Sequence, residues 1–490
     1  MKRTLTLLLL TLLCTTWLIG EHTAQPDKFS LRLWHAYHLA QDDEPLLVWV
    51  YFTDKGPQAG AKLAALRHAL SPKVVQRRLT VRAPQHLVDM ADVPLEASYV
   101  EAIRRAVRQV RHQSKWLNAI SVRATKQQIA WMHSLDFVKA IDLVARYRVS
   151  KPELIAEPSR QLHDEHAQPR GAFPFDYGPS LAQLRQINVP AVHQLGNYGQ
   201  GVIIGVFDAG FNNLDHEAFR QMKIIAKYDF VNGDEDVSDG KDMGRFGQHG
   251  TAVLSVLGGF AEGRLIGPAF AAEFILAKTE NHPGSETPRE EDHWIAALEW
   301  AEGLGVDVVS SSVGYLEFDA PFRSYTWRDM DGRTAAITRA AVMGVQRGIV
   351  IVNSAGNNGD HPSRNTLVAP ADGDGVIAAG AVNLNGVRAG FSSVGPTVDG
   401  RIKPDVVALG VGVVAAAGVD LRGYQPVSGT SFSAPLIAGV AALIRAAHPD
   451  WSPMQVLHAL RRTASQANQP DRFLGWGVVN ALSAVEFSGQ

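Results

Sequence analysis

Cysteine and long apolar segments are the two features that this 490-residue chain lacks. Its single cysteine is Cys14, and removal of the N-terminal segment that contains it leaves no thiol. Intrachain disulfides are therefore excluded as a source of stability. No run of eighteen or more apolar residues follows that segment, so we expect no membrane anchor.

Residues 1–24 have the pattern of a secretory signal peptide. Two basic residues precede an apolar run over residues 5–13, which is too short to predict a membrane span. The end of the segment is poorly marked, with Gly20 and Ala24 as candidates. Whether Cys14 is lipidated stays open, because Leu13 stands where that processing requires a small residue. The pattern predicts a secreted protein, either extracellular or periplasmic.

The net charge of −2 hides an uneven distribution. Residues 25–175 carry 22 Lys and Arg against 15 Asp and Glu, and the rest of the chain has an acidic excess. We expect this complementarity to favour docking of one part on the other. A basic run has helical spacing, which predicts a solvated helix face rather than a nucleic-acid site. It consists of Arg104, Arg105, Arg108 and Arg111.

Hydrophobic periodicity divides the chain into two folded regions. Residues 25–150 predict a small α+β domain, and residues 151–178, which are rich in Pro, Gly, His and charge, predict an exposed linker. The predicted strands of the first region are 45–53, 117–122 and 137–144, and the predicted helices are 58–69, 95–112 and 125–134.

Residues 179–490 predict an α/β domain, because continuous apolar strands alternate there with helices. Such a pattern is typical of a mostly parallel sheet covered on both faces, with sites at the carboxyl ends of its strands. The predicted strands are 202–207, 274–277, 306–310, 349–353 and 376–379, and the predicted helices are 248–258, 290–303, 332–347, 431–447 and 453–463.

Four polar residues lie where such a site is expected. Asp208 directly follows a predicted strand, and Asn357 lies on a turn after another. His249 stands between glycines near a helix start, and Ser431 begins the 431–447 helix, with Pro435 in its first turn. Taken singly, each residue is more often a turn, cap or surface residue.

Together, these four side chains suit acyl transfer. A serine hydroxyl is a poor nucleophile near neutral pH and needs a base, and histidine titrates in the right range. A carboxylate fixes the imidazole tautomer, and an amide beside a helix N-terminus stabilises a developing oxyanion.

The motifs that carry these residues, DAG, HGTAV, SAGNNG and GTSFSAP, resemble those of the subtilisin-like serine proteases over about residues 185–485. The resemblance implies a subtilisin-like three-layer α/β domain with a mostly parallel central sheet, preceded by a small α+β pro-domain. It implies that Asp208 orients His249, that His249 is the acid and base, that Ser431 is the nucleophile, and that Asn357 donates to the oxyanion.

The resemblance also implies a binding cleft. An extended peptide would pair with the first of two segments, and the second would wall the main specificity pocket. These segments are Ser312, Val313 and Gly314, and Ser354, Ala355 and Gly356. Tyr315 stands where many members have glycine, which predicts a narrower cleft, and residues 315–330 predict a rim.

The domain over 25–150 is similar, more weakly, to the pro-segments of this family. That similarity implies a folding assistant and intramolecular inhibitor, with self-cleavage within about 145–178. We therefore expect a monomeric secreted endopeptidase made as a zymogen, with proteins or peptides as its substrates.

No cofactor and no catalytic metal are expected. Structural calcium is an open possibility at six acidic residues between positions 229 and 242, although their spacing matches no defined metal loop and favours a solvated acidic loop. They are Asp229, Asp234, Glu235, Asp236, Asp239 and Asp242.

Two other functions are alternatives. A non-catalytic secreted binding protein would keep the same scaffold without the chemistry. A serine esterase would have a G-x-S-x-G elbow and its histidine last, whereas Ser433 stands here in place of the second glycine and His249 precedes Ser431.

Overall fold

The computed structural model describes residues 28–144, 146–147, 173–239, 247–280, 289–316 and 325–488. The predicted signal peptide and most of the predicted linker lie outside these residues. The predicted calcium loop and the predicted rim lie partly outside them.

The N-terminal unit is an antiparallel four-stranded sheet in the order β2-β3-β1-β4, with helices around it. Its strand β1 is apolar on both faces and almost wholly buried, which places it inside the sheet. The elements are α1 Leu31–Leu39, β1 Leu46–Phe52, α2 Ala59–Leu66, α3 Pro72–Leu79, α4 Ala97–Ala106, β2 Gln109–Ser114, β3 Ala119–Ala124, α5 Lys126–His133, β4 Val138–Leu143 and the two-residue β5 Arg146–Tyr147.

The second unit is built on a seven-stranded parallel sheet in the order β15-β14-β13-β12-β6-β10-β7. Its elements are α6 Leu181–Gln186, α7 Val189–Gln194, β6 Ile203–Asp208, β7 Lys223–Asp229, α8 Gly247–Gly258, β8 Phe260–Ala261, β9 Leu265–Ile266, β10 Glu273–Lys278, β11 Arg289–Glu290, α9 Glu291–Leu304, β12 Val308–Ser311, α10 Ala336–Val345, β13 Val350–Ser354, β14 Ile377–Val382, β15 Val406–Leu409, β16 Val413–Ala416, β17 Tyr424–Val427, α11 Thr430–Ala447, α12 Pro453–Arg462 and α13 Ala481–Val485.

Helices cover both faces of this sheet, so the predicted three-layer α/β architecture is confirmed. One hydrophobic core lies between the sheet and α8 and α11, and a second lies between the sheet and α9 and α10. Among the described residues, α11 alone is long and apolar enough to cross a membrane, and 89% of that window is buried inside the protein. It is therefore a core helix, as its small apolar residues predict.

One predicted element is wrong. The helix expected over 95–112 ends at Ala106, and strand β2 begins at Gln109. The extended backbone of Val107, a β-branched residue, ends the helix there. Arg104 and Arg105 do lie on an exposed helix face, but Arg111 lies on the strand and reaches the second unit instead of solvent.

The N-terminal sheet docks on α9 through hydrogen bonds to its acidic side chains. The carboxylate of Glu299 accepts hydrogen bonds from the backbone N–H groups of Lys115 and Trp116, at 3.1 and 3.2 Å, and from the Ser114 hydroxyl. Carboxylates that accept several N–H groups bind strongly and directionally. This contact therefore fixes the β2–β3 turn on the helix.

Two arginines of α3 extend the same interface. Arg77 and Arg78 are each 1% exposed, and both pair with Glu302 of α9. Arg78 also pairs with Asp92 of its own unit at 2.9 Å. Buried charges are stable only when they are paired in this way, so the two units fit in one orientation.

A histidine pair forms the third contact. The Arg111 guanidinium pairs with Asp292 at 3.0 Å and lies 2.7 Å from His293 Nε2, while His293 Nδ1 lies 2.8 Å from His112 Nε2. A guanidinium only donates, so His293 Nε2 accepts and its Nδ1 carries the proton that is donated to His112. The other nitrogen of His112 is then the one that donates to the Phe230 backbone. His112 thus accepts at one ring nitrogen and donates at the other, so its imidazole is neutral in this arrangement.

We expect docking of the N-terminal unit to weaken in acid. Burial lowers the pKa of His112 to about 4, with Asp292 opposing the shift and His293 and Arg111 adding to it. Because the free imidazole titrates near 6.5, the docked state binds fewer protons, so docking is strongest above about pH 6.5 and weakens by on the order of 100-fold as the pH falls to 4. Hydrogen exchange of residues 109–124 in the full chain, corrected for intrinsic rates, measures this loss of protection.

The matched variants are His112→Asn at the interface and His35→Asn on the exposed face of α1. The first should lose the pH dependence between 6.5 and 4, and the second should keep it. Burial raises the pKa of Glu299, so protonation of this carboxylate favours docking in acid. That contribution is the same in both variants. An unchanged pH dependence in His112→Asn would contradict the assignment.

Candidate active site

Asp208 is the last residue of β6 and is fully buried. Strands β12 and β10 flank β6, and the Asp208 carbonyl accepts a hydrogen bond from the Thr279 N–H at 2.9 Å. Its Oδ1 accepts a hydrogen bond from the Ala209 N–H at 2.7 Å. The carboxylate is therefore fixed by the sheet at its carboxyl edge.

His249 lies in the first turn of α8 and is 8% exposed. Its Nδ1 is 2.7 Å from Asp208 Oδ1. A carboxylate accepts, so Nδ1 carries the proton of the neutral ring and Nε2 is left as the base. Gly250 permits this approach, because a Cβ there would lie 2.1 Å from the Gly210 carbonyl oxygen.

Ser431 is the second residue of α11, and Pro435 is the sixth, so the expected place of the proline in the first turn is wrong. Pro435 has no N–H for the Ser431 carbonyl, four residues earlier, to accept. That carbonyl instead accepts the Ser312 hydroxyl at 2.8 Å. In return, the Ser431 hydroxyl donates to the Ser312 carbonyl at 3.3 Å. The proline therefore ties the helix start to the segment after β12.

The residue after Ser431 packs near His249, but the Ser431 hydroxyl makes its hydrogen bond elsewhere. The imidazole centroid is 5.5 Å from the ring centroid of Phe432, the residue after Ser431. Among the hydrogen bonds of the described residues, that of the Ser431 hydroxyl goes to Ser312 rather than to His249. A rotation about the Cα–Cβ bond of Ser431 is needed to aim its Oγ at the imidazole.

Asn357 lies on the exposed turn after β13, and its amide orientation is fixed by Thr430. The Asn357 Oδ1 accepts hydrogen bonds from the Thr430 N–H at 3.0 Å and from the Thr430 hydroxyl at 2.8 Å. The amide nitrogen is consequently the atom left to donate toward the site. Thr430 belongs to the GTSFSAP motif, but the motif alone did not predict this positioning role.

The two predicted cleft segments follow adjacent parallel strands. Residues 312–314 directly follow β12. In the second segment, Ser354 is the last residue of β13 and residues 355–356 come after the strand. Ser311 of β12 lies opposite Asn353 of β13 in the sheet register. The Asn353 Nδ2 donates to the Val313 carbonyl at 3.1 Å, which holds the two segments together. Asn353 is a second positioning residue that the sequence analysis missed.

Tyr315 does not lie as expected at the open cleft. Its ring is fully buried in the second core, and its hydroxyl donates to Glu280. Its backbone pairs with Ala369 through two hydrogen bonds of 2.9 Å. The predicted rim over 315–330 lies outside the described residues between 317 and 324.

Four of the described acidic residues of the predicted calcium loop accept hydrogen bonds within the protein, and they are Asp229, Asp234, Asp236 and Asp239. Asp229 pairs with Lys278 at 2.9 Å and accepts backbone N–H groups of its own turn. Asp234 and Asp236 likewise accept N–H groups two residues ahead. Asp242 lies outside the described residues, so calcium binding by this loop stays a prediction.

The geometry unites a carboxylate, an imidazole, a hydroxyl at a helix start and an amide donor at one sheet edge. This set can activate a hydroxyl and stabilise an oxyanion, which is the requirement of acyl transfer. All four residues come from strand ends or helix starts, as the α/β pattern predicts.

Two family models match the chain. The model of the Subtilase family matches residues 199–477, and that of the peptidase S8 propeptide domain of Bacteroidota matches residues 47–159. The first contains all four polar residues of the site. The second covers most of the N-terminal unit.

Individual relatives agree with these matches. Subtilisin DY of Bacillus licheniformis is 32% identical over 302 residues, which cover 61% of this chain and 96% of that protein. Alkaline elastase YaB of Bacillus sp. (strain YaB) is 26% identical over 369 residues, which cover 75% of this chain and 85% of that protein. Fervidolysin from Fervidobacterium pennivorans, a keratinolytic enzyme related to subtilisin, has a similar structure, with a TM-score of 0.61 at 21% identity. That match covers 92% of this chain and 62% of fervidolysin, and it establishes the fold alone.

Proposed function

Because the chain belongs to the subtilase family, a family of serine endopeptidases, and carries a propeptide domain, we propose that Asp208, His249 and Ser431 form its catalytic triad. The observation that carries this proposal is the 2.7 Å contact between His249 Nδ1 and Asp208 Oδ1, together with the position of Ser431 in the first turn of α11. It leaves His249 Nε2 available as a base for the Ser431 hydroxyl. The protein is a serine protease made as a zymogen.

In the proposed mechanism, the Ser431 hydroxyl leaves the Ser312 carbonyl, gives its proton to His249 Nε2 and attacks the substrate carbonyl carbon. Asp208 stabilises the imidazolium that forms. The oxyanion accepts hydrogen bonds from the Asn357 amide and the Ser431 N–H. Collapse of this intermediate breaks the peptide bond, and His249 protonates the departing amine. Water then attacks the acyl-enzyme by the same route and restores the hydroxyl.

These steps use only protein side chains and water, so we propose that catalysis needs no cofactor. A calcium ion over residues 229–242 would serve stability rather than chemistry. Protein or peptide substrates would lie extended along Ser312 to Gly314, which follow β12 at the nucleophile. Residues 354–356 would wall the pocket for the residue whose carbonyl is attacked.

We further propose the domain organisation and location of the chain. Residues 1–24 would direct secretion, 25–150 would form the pro-segment, 151–178 would contain the processing site, and 179–490 would form the monomeric catalytic domain. The contacts of the N-terminal unit with α9 support a pro-segment that docks as an intramolecular inhibitor. Cleavage within about 145–178 would release it.

A fluorophosphonate probe should label Ser431, because its hydroxyl is the one activated by His249. Ser431→Ala should abolish labelling and hydrolysis of a casein substrate. Ser433→Ala is the matched control on the same helix, since the Ser433 hydroxyl donates to the Thr430 carbonyl at 3.0 Å and is fully buried. It should label like the wild type. A folded wild type that takes up no probe would favour the alternative, a non-catalytic binding protein.

Asn357→Leu should lower kcat by on the order of 100-fold or more with little change in KM, because one oxyanion donor is lost while the ground-state contacts remain. Steady-state kinetics on a peptide substrate measure both constants. Asn358→Ala is the control, since the Asn358 amide donates to the Thr366 carbonyl of its own loop. An equal loss of kcat in the control would point to loop disorder instead of a lost donor.

A further inference from the structure

The two cleft segments form the walls of a slot, here called the specificity slot, which opens beside Ser431. One wall is residues 312–314 and the other is residues 354–356. The Ser312 hydroxyl donates to the Ser431 carbonyl at 2.8 Å, so the first wall is fixed relative to the nucleophile. The two walls follow neighbouring parallel strands. The substrate side chain next to the attacked carbonyl must therefore fit into the space between the walls.

Residues 367–369 cross from one wall to the other and close the floor of this slot. Ala369 pairs with Tyr315, next to the first wall, through two backbone hydrogen bonds of 2.9 Å. The Val368 N–H donates to the Ala355 carbonyl of the second wall at 3.2 Å. The backbone of Val368 is therefore held directly beneath both walls.

The Val368 side chain touches both walls. A Cβ built on Gly314 would lie 2.2 Å from Val368 Cγ2, and a Cβ built on Gly356 would lie 3.0 Å from Val368 Cγ1. Each of the two methyl groups thus packs on the bare backbone of one wall. Val368 is 4% exposed, so little of its surface is left to solvent. The isopropyl group fills the inner part of the slot.

We propose that Val368 restricts the residue on the acyl side of the cleaved bond to small side chains such as alanine, glycine and serine. This inference rests on the proposed function, because the slot is defined by its position beside Ser431. An aromatic ring must bury a large area between the walls to bind, and Val368 already occupies that volume. The slot cannot widen easily to admit an aromatic ring, because its floor is hydrogen-bonded to Tyr315, next to the first wall, and to Ala355 of the second wall.

Excess volume in an apolar pocket changes kcat/KM by about 10- to 200-fold for each methylene. We therefore expect the wild type to hydrolyse an alanyl substrate with a kcat/KM at least about 100-fold above that for a phenylalanyl substrate. Removing the isopropyl group in Val368→Gly should lower the Ala-to-Phe ratio by at least about 10-fold. Val368→Ala should give an intermediate ratio.

The experiment compares succinyl-Ala-Ala-Pro-Ala-p-nitroanilide with succinyl-Ala-Ala-Pro-Phe-p-nitroanilide, on enzyme produced from the full chain. Active sites are counted by fluorophosphonate titration, so partial misfolding of a variant does not distort kcat/KM. Val376→Ala is the matched control, because Val376 is equally buried in the second core but lies outside the slot. Its Ala-to-Phe ratio should equal that of the wild type.

A wild-type preference for phenylalanine, or a ratio that Val368→Gly and Val368→Ala leave unchanged, would overturn the role of Val368 while the protease assignment stands. Failure of titration together with failure to hydrolyse either substrate would overturn the proposed function and this inference with it. Cleavage of an unfolded protein by the wild type gives a check without variants. Small residues should precede the cut bonds, and bulky ones there would refute the proposal.

Discussion

The hydrogen bond between His249 and Asp208 is the contact on which the site depends. Burying a carboxylate costs stability unless hydrogen bonds compensate it, and here Oδ1 of Asp208 accepts two N–H groups at 2.7 Å. Because β6 is paired on both sides, the carboxylate cannot move without distorting the sheet. The rigidity of the strand is thereby passed to the imidazole. The side chain that has to move in the proposed mechanism is that of Ser431, whose hydroxyl must exchange the Ser312 carbonyl for His249 Nε2 as its hydrogen-bond acceptor.

The same parallel sheet explains why the N-terminal unit contacts α9. Parallel strands pair residues far apart in sequence, so such sheets form slowly, and a domain that docks on a covering helix can stabilise one of its layers early. The interface on α9 combines an apolar cluster, which includes Trp49 and Trp116, with buried carboxylates, since Glu299 and Glu302 bind N–H groups and guanidinium groups. A buried ionic interface specifies orientation but adds less net stability than an apolar one of the same size. That balance suits a pro-segment that must first fit and later leave.

The sequence was sufficient for the central strands, because their continuous apolar runs are typical of a sheet covered on both faces. The sequence was not sufficient to predict β7 and β15, the two strands at the edges of the sheet. Strand β7 alternates exposed and half-buried residues, and β15 is fully buried but only four residues long. The four polar site residues were predictable because each follows a strand or begins a helix. Val368 was not, since its place between the walls depends on the pairing of Ala369 with Tyr315, 54 positions away in the chain.

The proposed catalytic residues and the walls of the specificity slot lie on hydrogen-bonded segments of backbone, but different side chains serve catalysis and substrate selection. The missing N–H of Pro435 frees the Ser431 carbonyl for Ser312, so Ser431 and the first wall of the specificity slot are held together by hydrogen bonds. Val368 comes from another loop, and its two methyl groups pack against the glycines of the two walls. Replacing it changes the volume between the walls without altering the hydrogen bonds of the nucleophile or the imidazole. A fold of this kind can therefore vary its substrates through floor residues while its strand ends and helix starts keep the reaction constant.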